Sequence, residues 1–205
     1  NPVIEELHLN IHIKWLDAPN NVAIFVSKED HCLHDLLLLQ RDGALNCQIA
    51  MVISNHPDLQ DVAQRFGIPF HYIPINVETE TIQLSMLKEH DIDLVVLARY
   101  MQVLRPEFIN QYESRIINIH HSFLPAFAGG KPYHQAHTKG VKLIGATAHY
   151  ATEELDAGPI IEQGIIRVSH KDSIQHMIHK GRDIERNVLA RAVRWHLEHR
   201  IIVHH

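Results

Sequence analysis

Cysteine is scarce in this chain: Cys32 and Cys47 are two among 205 residues. They form no metal-ligand spacing, so both are expected to be reduced thiols of a cytoplasmic protein, with no disulfide framework. No apolar run approaches the ~20 residues that a membrane-spanning helix needs, so no membrane association is expected. The first residues carry Glu5 and Glu6 among polar neighbours, which is not the pattern of a secretion signal. Basic residues do not cluster, and the net charge is −5, so nucleic acid is excluded as the main ligand. The first βα turn has no G-x-G-x-x-G, which sets aside a dinucleotide-binding domain. The 19 histidines are scattered, with no H-E-x-x-H and no paired Cys/His set, so neither a metal nor a cofactor is expected. Ser122 lies in no G-x-S-x-G elbow and is expected to bond locally.

What is present describes an ordinary globular chain, 45% apolar and 21% charged, long enough to bury a sizeable core. Apolar runs at 22–26, 47–53, 70–73 and 93–98 read as strands. Between them, 31–41, 57–66 and 78–90 read as helices, the second stopped by Gly67. Ser27 or Asp30 is the expected cap of the first helix. This alternation predicts an α/β fold: a Rossmann-like, open, mostly parallel sheet flanked by helices. A short helix is expected at 106–111 and another from Tyr133 to Lys139. Strands at 141–150 and 160–168 are close enough to form an antiparallel pair. A long C-terminal helix follows from Ser173 to about His199, its core stripe made by Ile174, Met177, Ile178, Ile184, Val188, Leu189, Ala192 and Trp195. Residues 201–203 are expected to form a short closing strand. Residues 1–20 read as a lead-in, and 21–205 as the main domain.

The stretch Arg115-Ile116-Ile117-Asn118-Ile119-His120-His121-Ser122-Phe123-Leu124-Pro125 carries the chemistry. Its β-branched start reads as a buried strand, and Pro125 ends regular pairing. Asn118 and His120 are two apart and so share a strand face at its C-terminal end, where open α/β sheets bind ligands. An amide can donate to a carbonyl oxygen as charge develops on it, and an imidazole can move a proton near neutral pH. Together they suit attack on a carbonyl carbon. By strand alternation His121 points to the opposite face and is assigned no catalytic role.

The missing partner is a carboxylate. Asp156 is a candidate, in Thr152-Glu153-Glu154-Leu155-Asp156-Ala157-Gly158-Pro159, although spacing alone does not select it from 24 acidic residues. Asn118-Ile119-His120-His121-Ser122-Phe123-Leu124-Pro125, followed by Leu155-Asp156-Ala157-Gly158-Pro159-Ile160-Ile161, resembles the formyltetrahydrofolate hydrolase and formyltransferase superfamily. Within it, the chain is most similar to the formyltetrahydrofolate deformylase family, from about Asn21 to the C-terminus. The resemblance implies hydrolysis of 10-formyltetrahydrofolate to tetrahydrofolate and formate, supplying purine biosynthesis and balancing one-carbon folate pools. It implies Asn118, His120 and Asp156 as the catalytic set. Asp156 either orients His120 or takes the proton from water. It places the folate against Met101, Val103, Leu104, Thr152, Glu153 and Leu155; taken alone, residues 99–106 read as a loop and helix capping the core. It also implies a homo-oligomer, and a regulatory ACT-type domain ahead of the lead-in.

The acceptor is the remaining question. Related glycinamide ribonucleotide transformylases hold a substrate phosphate at a Gly/Ser-rich turn after the first strand. This chain has Glu29 and Asp30 there, whose charges repel a phosphate at a helix N-terminus. Water is therefore the expected acceptor. Formyl transfer to an amine is the alternative, and a non-catalytic folate-binding module is a third. Gly129-Gly130 permits a tight or mobile loop over the site.

Overall fold

A strand that is apolar on both faces has to lie inside a sheet covered on both sides. The segment around Val22–Val26 meets that condition in the computed structural model, which describes residues 19–126 and 132–204. The strands and helices alternate as β1 (Asn20–Val26), α1 (His31–Arg41), β2 (Cys47–Ser54), α2 (Gln60–Arg65), β3 (Phe70–Tyr72), α3 (Thr79–Glu89) and β4 (Leu94–Leu97). They continue as α4 (Pro106–Gln111), β5 (Ile116–His120), α5 (Pro132–Lys139), β6 (Leu143–Tyr150), β7 (Ile160–Arg167) and α6 (Ile174–Leu197).

The sheet order is β3-β2-β1-β4-β5-β6-β7. Pairing is parallel from β3 to β5, and β5–β6 and β6–β7 are antiparallel. The expected α/β architecture is therefore present, with its antiparallel pair and long C-terminal helix. Strand alternation separates two cores. Val22, Ile24 and Val26 pack with Leu33 and Leu37 of α1 and Met177, Ile184 and Val188 of α6. Ala23 and Phe25 pack on the other face with Leu87 of α3 and Phe108 of α4. The chain leaves β1 toward β2 and β3, then returns to its other side with β4. That reversal sets the carboxyl ends of β1 and β4 side by side, with β5 next to β4.

Local details differ from expectation at four places. Neither Ser27 nor Asp30 caps α1 through its side chain; the Ser27 hydroxyl instead donates to Asn55 Oδ1 at 2.7 Å and accepts from the Met101 amide at 3.0 Å. Helix α2 starts at Gln60, because a bend runs through Pro57 and a turn fills residues 58–59. Residues 201–203 form no strand: Ile201 and Val203 pack on the core while Ile202 is 92% exposed, with no neighbouring strand to pair. Of the expected stripe of α6, Met177, Ile178, Ile184, Val188, Leu189 and Ala192 pack in the core, while Ile174 and Trp195 stay half-buried outside it, and the helix also buries a charge, Glu185. Ser173 does cap that helix, accepting from the His176 amide at 3.2 Å. Both cysteines are buried and unpaired. Among the described residues, no helix is long and apolar enough to cross a membrane. Residues 1–18 of the expected 1–20 lead-in and the Gly129-Gly130 loop lie outside the described residues, and Asn20 already begins β1.

Candidate active site

The ends of β4 and β5 open into a cavity of about 330 Å³, within the usual range for a small-molecule site. Asn118, His120 and Asp156 all line it. The first two come from one face of β5, as their spacing requires. Asp156 arrives from the loop joining β6 to β7. The return of that loop depends on Gly158, where a Cβ would lie 1.8 Å from the Tyr150 carbonyl oxygen. Only glycine allows that approach. Asp156 itself has φ 57°, a left-handed conformation that a short polar side chain tolerates better than most.

The geometry sets the proton positions. His120 Nδ1 lies 3.1 Å from Asp156 Oδ2. The hydrogen bond with His120 outweighs burial and holds the Asp156 carboxyl well below the usual carboxylate range. An ionised carboxylate only accepts, so Nδ1 of His120 carries the proton. Its Nε2 is then the free lone pair, and it is buried with no partner among the described residues. The ring is thus oriented by one nitrogen and available through the other.

Asn118 is fixed in a similar way. His149 stands opposite it in the β5–β6 register. His149 Nδ1 lies 2.9 Å from the Tyr150 carbonyl oxygen, so that nitrogen donates and Nε2 accepts. Asn118 Nδ2 donates to this Nε2 at 3.2 Å. One amide hydrogen is thereby used to orient the group, and the second remains for a ligand oxygen. Asp156 Oδ1 is 3.6 Å from His149 Nε2, too long for a hydrogen bond. Sequence reasoning missed His149, because only antiparallel pairing brings β6 beside β5. The loop after β5 is anchored by Thr147, which donates to the Ser122 carbonyl at 2.9 Å and accepts from the Leu124 amide at 3.0 Å. Ser122 donates to the Ala126 carbonyl, a local bond as expected.

Met101, Val103, Leu104, Thr152, Glu153 and Leu155 all line the same cavity. Met101, Val103 and Leu155 are 57%, 68% and 63% exposed, an unusual state for large apolar side chains grouped around one opening. Glu80 holds the 99–105 segment by accepting from the Arg105 amide and pairing with its guanidinium at 2.9 Å. Asn110 donates to Glu153 at 3.1 Å.

His121 departs from expectation. Strand β5 ends at His120 and the chain bends, so alternation no longer applies. His121 also lines the cavity, its ring 5.3 Å from that of His120. Burial and the nearby Arg99 guanidinium push its pKa down to about 4, so it is neutral at physiological pH.

The paired ring and carboxylate can move a proton, the amide can hold a carbonyl oxygen, and the apolar walls suit a flat ring. Comparison with known proteins agrees with that chemistry. Residues 20–193 match the formyl transferase family. A formyltetrahydrofolate deformylase of Synechocystis is 56% identical over 204 residues, covering 98% of this chain and 72% of that protein. The crystal structure of a formyltetrahydrofolate deformylase from Pseudomonas syringae superposes with a TM-score of 0.96 at 49% identity, covering 99% of this chain and 70% of that one. A glycinamide ribonucleotide transformylase from Symbiobacterium toebii shares the fold at a TM-score of 0.86 and 27% identity, with 96% and 95% coverage. The chain belongs to the formyl transferase family, and within it to the formyltetrahydrofolate deformylases.

Proposed function

We propose that this chain hydrolyses 10-formyltetrahydrofolate to tetrahydrofolate and formate through Asn118, His120 and Asp156. The observation that carries the assignment is the 3.1 Å contact between His120 Nδ1 and Asp156, which leaves Nε2 as the working nitrogen. The pterin ring lies among Met101, Val103, Leu104, Thr152, Glu153 and Leu155. Water attacks the formyl carbon as His120 Nε2 takes its proton, and the Asp156 carboxylate stabilises the imidazolium that forms. Asn118 donates its free amide hydrogen to the formyl oxygen as that oxygen becomes negative. His120 then returns the proton to the departing nitrogen and the C–N bond breaks, giving the neutral amine and formic acid, which releases its remaining proton to solvent to become formate at neutral pH.

Water is the acceptor in this reading. Glu29 and Asp30 stand at the start of α1, and Glu29 pairs with Arg182 of α6. These carboxylates disfavour a phosphate at that helix end. The formate released supplies purine biosynthesis, and the reaction balances one-carbon folate pools. Self-association belongs to the same reading, supported by exposed Ile160 and Ile165 on edge strand β7 and exposed Leu143 on the neighbouring strand β6.

Formate release from 10-formyltetrahydrofolate, compared with formyl transfer to glycinamide ribonucleotide, tests the assignment. Hydrolysis is expected to dominate and to be lost in His120→Ala. Faster transfer than hydrolysis, or activity indifferent to His120→Ala, overturns it.

A further inference from the structure

One cation in the cavity wall is unused by the mechanism above. Arg99 follows β4 at the cavity and adopts φ 64°, a left-handed conformation that costs a long side chain on the order of 1 kcal/mol or more. Strain of this kind persists where the surroundings hold it, and here the strained residue lines the cavity together with His120 and His121. The side chain is 13% exposed. Its Nε and Nη1 are buried and make no hydrogen bond with the described residues.

Glu185 is the carboxylate that pairs with it, and it does not satisfy those donors. Its Oε2 lies 3.5 Å from Arg99 Nε, well beyond the ~2.8 Å of a charge-assisted hydrogen bond. Each Glu185 oxygen is already engaged, Oε2 with His31 Nε2 at 2.8 Å and Oε1 with the Tyr133 hydroxyl at 2.7 Å. Burial opposes ionisation of Glu185, but the His31 bond and the Arg99 charge outweigh it and hold the carboxyl below its usual range. Glu185 therefore sits behind Arg99 as a positioning residue. The guanidinium keeps donors to spare on a side chain that lines the same cavity as the His120 ring.

Resting on the hydrolase reading, we propose that Arg99 binds the carboxylate product, formate, as it forms. Formyl transfer to an amine yields a neutral amide, whereas transfer to water yields an anion. A planar guanidinium fork matches a carboxylate with two parallel bonds. The neutral His121 ring beside it adds no competing charge. Formate has three heavy atoms, so even ideal contacts give an affinity of only about 1 mM, weak enough for release.

The test is thermal unfolding of the full chain in sodium formate against sodium chloride at equal ionic strength, without substrate. It is paired with formate inhibition of hydrolysis. Wild type is expected to be stabilised by formate beyond chloride and inhibited in the millimolar range. In Arg99→Gln both constants weaken roughly tenfold or more. Arg99→Gly serves as the second variant, because glycine adopts φ 64° without strain and protects folding; it should lose formate stabilisation as well. Para-aminobenzoylglutamate, carrying the tail carboxylates of the folate, is the control anion. The proposal is overturned if a folded Arg99 variant keeps the wild-type formate constant. It is equally overturned if wild type ignores formate up to about 100 mM, or if only the tail analogue depends on Arg99. Formate binding through Arg99 in a chain that releases no formate would support the site and overturn the hydrolase reading instead.

Discussion

At the scale of single residues, one side of each polar group in the candidate site is fixed by a neighbour. His149 occupies one Asn118 hydrogen and Asp156 occupies one His120 nitrogen, which leaves the other side of each without those bonds. Removing the working side and removing the fixing side should differ in effect. Asn118→Ala is expected to lower kcat by about 10²- to 10³-fold with a small change in KM, since its bond strengthens as charge develops. Steady-state kinetics of formate release check this. Asp156→Asn leaves the shape of the site but removes the charge partner, and a loss of about 10²- to 10⁴-fold is expected. The same residue predicts a pH dependence of stability. Its folded carboxyl titrates below the ordinary carboxylate range. The stabilisation is therefore complete above that range and is lost as pH falls through it toward the lower folded value. Urea midpoints measured from about pH 5 to about pH 3 should fall more steeply for wild type than for Asp156→Asn. Equal slopes would show that the carboxylate contributes nothing to the fold.

At the scale of elements, side chains of neighbouring strands and helices hold the site in place. Thr147 of β6 is fully buried and bonds to both the Ser122 carbonyl and the Leu124 amide, pinning the loop that follows His120. On the other side α6 meets α5 at Gly181, where a Cβ would stand 1.9 Å from the Tyr133 hydroxyl oxygen. Intrinsic propensity says that Gly181→Ala should stabilise a helix interior by about 1 kcal/mol. The contact with Tyr133 says the reverse. The ring is buried and its hydroxyl donates to Glu185, so it cannot move aside cheaply. A net loss of about 1–3 kcal/mol is expected from overpacking, read as a lowered urea midpoint at unchanged m-value. A stabilised variant would mean that the α5–α6 contact is loose.

At the scale of the whole molecule, the cavity opens at the carboxyl ends of β4 and β5, and aromatic contacts tie its wall to the core. Phe25 of β1 lies edge-on to Tyr100 at 5.3 Å and to Phe108 at 6.0 Å, joining the central strand to the wall segment and to α4. Phe108→Ala removes a fully buried ring, with an expected cost of about 3–5 kcal/mol. A folate analogue that binds the native state should offset part of that loss, by about 2.7 kcal/mol at 100 times its Kd. Thermal unfolding of the variant with and without the analogue checks both numbers. No shift with the analogue would separate the cavity from folate binding.

Much of this arrangement was readable from residue order. Continuous apolar runs mark strands that are buried on both faces, and the i, i+2 spacing of Asn118 and His120 puts them on one face. Both are local periodicities of the backbone, independent of distant contacts. The resemblance supplied Asp156, which spacing could not. His149, His121 and Arg99 were invisible for a different reason. His149 reaches Asn118 only through the antiparallel register of β6, His121 enters the cavity only because β5 stops one residue earlier, and Arg99 does so through a left-handed turn. Each depends on where one segment lies against another, and side-chain pattern along the chain carries no record of that.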